Sequence, residues 1–74
     1  MTRENALLSE FLAADDAARC RAVKQLSRRL RQGSSASGQL LCHRPEGLYV
    51  LVPRPLALRL LRALLMVRAA QAIA

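Results

Sequence analysis

Six small residues in a row, Gly33-Ser34-Ser35-Ala36-Ser37-Gly38, divide the sequence into halves that follow different rules. The run has no side-chain bulk to pack, so 33–38 reads as a flexible connector. From Thr2 to Gln32 there is no Pro or Gly, and Ala, Leu, Arg and Glu dominate, which is helical composition. Beyond the connector come two short apolar runs, a turn signal and a breaker-free apolar tail. A chain divided in this way is predicted to be α+β, as one small domain over 1–74. Its expected parts are a helical basic segment over 2–32, the connector over 33–38, a β-hairpin over 39–53 and a C-terminal helix over 55–74.

Within the first half, Thr2 suits a helix cap. At 100° per residue Leu8, Leu12, Val23, Leu26 and Leu30 share a face, flanked by Phe11 and Ala22. Extending that face brings Asp15 and Arg19 onto it. Two readings follow: one long helix with an i,i+4 pair, or a break with Asp15 capping a second helix, giving about 3–14 and 16–31. The order is therefore αββα or ααββα.

In the second half, Gln39-Leu40-Leu41-Cys42-His43 and Leu48-Tyr49-Val50-Leu51-Val52 read as strands. Arg44-Pro45-Glu46-Gly47 reads as the turn between them, with Pro pre-setting φ and Gly accepting the strained angle. Pro53 and Pro55 stop the strand, and Pro55 suits the first turn of a helix. That last helix is apolar nearly all round. Leu56, Leu60 and Val67 cover one side, and Leu58, Leu61 and Leu65 another.

Size and composition bound the function. A chain of 74 residues is short enough that a lone core supplies only about 3–5 kcal/mol, and small proteins usually add disulfides, a metal or a second subunit. The first ten residues, MTRENALLSE, carry acids and no apolar signal core. Reduced thiols at Cys20 and Cys42, in a cytoplasmic protein, are therefore expected. Zinc would need about four ligands, and Cys20, Cys42 and His43 are the only soft candidates, so neither metal nor cofactor is expected. Self-association remains. A homodimer is expected through Leu56, Leu58, Leu60, Leu61, Leu64, Leu65 and Val67.

The net charge is +7, and all but one of the twelve basic residues are Arg. Such a balance favours an anionic partner, although Ala, Arg and Leu richness is also what a GC-rich bacterial genome writes. The charge concentrates in Arg19, Arg21, Lys24, Arg28, Arg29 and Arg31, with no acid among them. On a helix these spread over the side away from Leu26, interleaved with Gln25 and Ser27. That is the footprint of a phosphate-binding helix. In order of elements the unit resembles a winged helix-turn-helix with the hairpin as wing, which implies double-stranded DNA as ligand. Arg44 at the hairpin turn is then an accessory phosphate contact. Placing acids early and bases late also suits helix macrodipoles, at about 0.3–1 kcal/mol each.

Catalysis is not expected. The single His43 is flanked by Cys42 and Arg44, adjacent strand residues face opposite ways, and no phosphate loop, dinucleotide fingerprint or metalloprotease motif is present. Tyr49 and Phe11, the latter expected to face the core, make no stacking platform, so single-strand binding and the common RNA-reading sheet modules are not expected. Arg59, Arg62 and Arg68 make a membrane span costly, at about 2.5–3.5 kcal/mol each near the bilayer centre. Two functions remain. One is a small DNA-binding transcriptional regulator acting through 19–31. The other is a protein-binding inhibitor, adaptor or chaperone, encoded by a phage, plasmid or operon, that meets an acidic protein surface or uses the C-terminal helix or hairpin edge.

Overall fold

The computed structural model describes residues 2–32 and 38–73. Its elements run α1 (Arg3–Ala13), α2 (Asp16–Gln32), β1 (Gln39–His43), β2 (Tyr49–Pro53) and α3 (Arg54–Ile73). The mixed α+β architecture is the expected one. The connector predicted over 33–38 lies outside the described residues except for Gly38.

The first half is two helices. Thr2 caps α1, its hydroxyl accepting from the Asn5 amide at 3.1 Å. After Ala14 the chain restarts on Asp15, whose Oδ1 accepts from the Ala18 amide at 2.8 Å while its carbonyl accepts from Arg19 at 3.0 Å. A side-chain cap of this kind is worth about 1 kcal/mol, more than an exposed i,i+4 pair at about 0.3–0.5 kcal/mol. The break also resets the phase of the apolar face. Phe11, expected on the flank, sits in the core at 1% exposure, whereas Leu12, expected on the face, is 36% exposed.

β1 and β2 pair antiparallel, with Leu40 opposite Val52, Leu41 opposite Leu51, Cys42 opposite Val50 and His43 opposite Tyr49. The turn closes with the Gly47 amide donating to the Arg44 carbonyl at 2.9 Å and the Arg44 amide to the Leu48 carbonyl at 2.7 Å. Gly47 has φ +99°, a value an L side chain rarely adopts. Leu48, expected as the first residue of the second strand, falls in the turn. Period 2 gives the hairpin two faces. Leu40, Cys42 and Val52 face the helices and are buried; Leu41, His43, Tyr49 and Leu51 face away.

α3 begins one residue ahead of Pro55, where the missing amide would be unpaired anyway. It packs against α1, α2 and both strands. The core consists of Phe11, Leu26, Val52, Cys42, Leu60 and Leu64, with Leu56 and Ala57 beside them. Each such large side chain contributes about 1.5–3 kcal/mol when fully buried. Of the residues expected at an interface, Leu56, Leu60 and Leu64 lie in the chain's own core. Leu58, Leu61 and Val67 are half-buried, and Leu65 and Met66 are exposed. No helix among the described residues is long and apolar enough to cross a membrane.

Candidate nucleic-acid interface

The apolar residues Ala22, Val23 and Leu26 turn one side of α2 into the core. At 3.6 residues per turn this leaves Arg21, Lys24, Arg28 and Arg31, at i, i+3, i+7 and i+10, along one outer stripe about 15 Å long. The stripe forms one wall of an open groove of about 520 Å³, and the hairpin forms the other through His43, Arg44, Pro45 and Tyr49. Gln25 fixes the two walls to each other. Its Oε1 accepts from the His43 backbone amide at 2.7 Å, which satisfies a strand donor that would otherwise face α2 unpaired.

The structure separates the sequence-predicted cations into two groups. Arg21, Lys24, Arg28 and Arg31 line the groove, and none of them has an ion pair among the described residues. Arg19 and Arg44 make hydrogen bonds and ion pairs within the chain, and Arg29 does not line the groove. Arg19 reaches back across the helix break, Nη1 donating to the Leu12 carbonyl at 3.1 Å and Nη2 lying 3.9 Å from Asp16. It thereby serves an orphan carbonyl at the end of α1. Arg29 turns toward the protein and buries its Nε. Gln25, interleaved with the cations in sequence, has its carbonyl oxygen committed to His43.

Arg44 lines the groove, but its charge is neutralised. Its Nε donates to Glu10 Oε2 at 2.9 Å, its Nη2 donates to Glu10 Oε1, and Nη2 also reaches Glu46 at 3.3 Å. The hydrogen bond from Arg44 holds the Glu10 carboxyl below its ordinary value, against the opposing effect of burial. Glu46 moves up, because it shares a hydrogen bond and negative charge with Glu10. One guanidinium thus ties α1 to the hairpin turn between two carboxylates, so Arg44 adds no free positive charge to the groove.

The remaining acids are also taken up away from the groove. Glu4 meets Arg59 at 3.1 Å, Asp15 caps α2 and Asp16 faces Arg19. No acid lines the α2 groove. The stripe thus gathers four cations with no ion pair among the described residues, where like charges repel each other and favour an anionic ligand.

Two groove residues were not expected from sequence. His43 and Tyr49 pack edge to face, ring centroids 4.9 Å apart at 73°, and Tyr49 is 58% exposed. The available signal was strand register: a turn over 44–47 brings 43 and 49 opposite each other on the face away from Cys42. Cys42 itself is fully buried beneath the sheet, and desolvation pushes its thiol up to about 11. Cys20 and Cys42 are both free. No metal-binding cluster of three or more His, Cys, Asp or Glu occurs among the described residues.

Neither protein-family models, nor curated proteins, nor solved structures yield a match to this chain.

Proposed function

We propose that this chain is a small nucleic-acid-binding protein whose α2 stripe neutralises backbone phosphates. One observation carries the reading: four cations line one groove without an acid among them, while four acids pair elsewhere and Asp15 caps α2. Lys and Arg on a helical stripe release condensed counterions when they meet phosphates, so affinity must fall with salt. Four contacts give a slope of log K against log salt of about −3 to −4. Fluorescence anisotropy with a labelled oligonucleotide across a salt series measures it. A slope near zero, or no binding at low salt, overturns the reading.

A second reading is association with protein, and two exposed features favour it. Leu65 and Met66 are exposed on the outer side of α3. Ladder alternation turns the backbone groups of Tyr49 and Leu51 away from β1, leaving β2 an edge open to strand addition. If α3 forms a homodimer, Leu65→Glu with Met66→Glu converts a dimer to a monomer in sedimentation equilibrium. A wild-type monomer at high concentration removes that version.

A further inference from the structure

The shape of the α2 groove says more than its charge. A helix that reads duplex DNA must protrude far enough to enter the major groove. Here the cation stripe forms one wall of a concavity, and the hairpin rises opposite it as the other wall. The opposite wall carries Pro45, the His43–Tyr49 pair and Arg44, whose charge is already taken up by Glu10 and Glu46.

A duplex offers such a wall little. Its outer surface is phosphate and sugar, and the flat faces of its bases are hidden in the stack. An unpaired base exposes that face, and base–aromatic stacking is sequence-tolerant because every base has one. Tyr49 is presented for such a contact. Its ring is largely exposed, yet His43 packs edge-on against it and limits its orientation. The His43 backbone is in turn held to α2 through Gln25 at 2.7 Å, so the ring and the cations keep a fixed spacing. Leu41 and Leu51 continue the same outer sheet face beyond the pair, both exposed. Apolar surface of this kind can take the next base of a strand.

We propose that the groove accepts a single polynucleotide strand, its phosphates along Arg21, Lys24, Arg28 and Arg31 and one unpaired base stacked on Tyr49. This rests on the nucleic-acid reading of the groove and narrows it from the duplex that the element order suggested. It also changes the weight of the two-aromatic composition. One tyrosine suffices where a cation wall stands across from it and a histidine fixes its ring.

The chain has one Tyr and no Trp, so its intrinsic fluorescence reports Tyr49 alone. The test titrates the full chain with oligothymidylate of about 12 nucleotides, which does not self-pair, and with a duplex of equal length. Both titrations are run at equal low salt and followed by tyrosine emission and by anisotropy of the labelled nucleic acid. The single strand is expected to bind at least about tenfold more tightly and to quench Tyr49, as loss of one base–aromatic stack is worth about that factor or more. Tyr49→Leu should weaken single-strand binding about tenfold, leave duplex binding and the salt slope unchanged, and be rescued by Tyr49→Phe. Duplex binding as tight as single-strand binding, or unquenched Tyr49 on a saturated single strand, overturns the strand assignment and leaves the phosphate-binding reading standing. Absence of binding to either nucleic acid overturns both.

Discussion

Among the described residues two open grooves flank the hairpin, similar in size but one cationic and the other balanced in charge. The one beside α2, about 520 Å³, has Arg21, Lys24, Arg28 and Arg31 on its wall and no acid. The one between α1 and β2, about 480 Å³, is lined by Arg3 and Arg44 with Glu4 and Glu10. In the second groove the charges serve the fold, since Glu10 and Arg44 join α1 to the hairpin and Glu4 reaches Arg59 on α3. In the first, like charges raise the free energy of the bare protein and lower it when an anion arrives. Formal charge therefore says little about binding until each cation has been assigned its partner.

The largest expected effect breaks this contrast directly. Arg28→Glu with Arg31→Glu should weaken nucleic-acid binding on the order of 100-fold or more at low salt, because two phosphate contacts become repulsive. Thermal unfolding of the double variant should stay near wild type or rise, since self-repulsion on the stripe is relieved. Binding within threefold of wild type removes α2 from the interface.

Next in size is the wall that the grooves share. Cys42 lies under the sheet with its thiol raised from 9.0 to about 11. A group whose folded value is raised stabilises fully below its unfolded value and loses that contribution as pH rises through the folded one. Unfolding free energy should thus fall by about 2–3 kcal/mol between pH 9 and 11. Urea midpoints across that window measure the fall, and in Cys42→Ala it should be largely absent.

The balanced groove should respond in stability and not in binding. Arg44→Gln leaves Glu10 without its main partner and should lower the thermal midpoint by several degrees while the salt slope of binding holds. A reduced slope would instead mean that Arg44 meets phosphate. The depressed Glu10 carboxyl stabilises above its unfolded value and loses that contribution as pH falls through its lower folded one. Glu46, raised, works in the opposite sense over the same acid range. Glu10→Gln removes the first and should flatten the acid side of the stability profile, measured by urea unfolding below about pH 5.

The smallest effect is expected at Arg62 and Arg68 on α3. They line neither groove, and neutralising both should change nucleic-acid affinity by about twofold or less through long-range screening alone.

How far these assignments could be read from sequence depends on how far apart the interacting residues lie. The hairpin was legible because Pro45 and Gly47 have local conformational demands and two short apolar runs flank them. The α1–α2 break was not decided, since Asp15 could serve either as a cap or as an i,i+4 partner of Arg19, and the two differ by under about 1 kcal/mol. The stripe was visible as periodicity, yet Arg44 could not be removed from it, because its partner Glu10 is 34 residues away. The final helix is apolar on several sides, so its sequence alone does not say which side is buried. Only the packing shows that Leu56, Leu60 and Leu64 face inward while Leu65 and Met66 do not.

The bond from Gln25 to His43 has a consequence outside ligand binding. A hairpin with two bare edges is a seed for stacking without end, the route by which small apolar proteins form fibres. Here α2 lies against β1, and Gln25 occupies a donor on that edge. On the other edge, Pro53 ends β2 without an amide to offer. Growth is closed on one side and stops after a few residues on the other. Strand addition to this sheet is thereby confined to the short Tyr49–Leu51 stretch of β2, which offers an incoming chain few backbone partners.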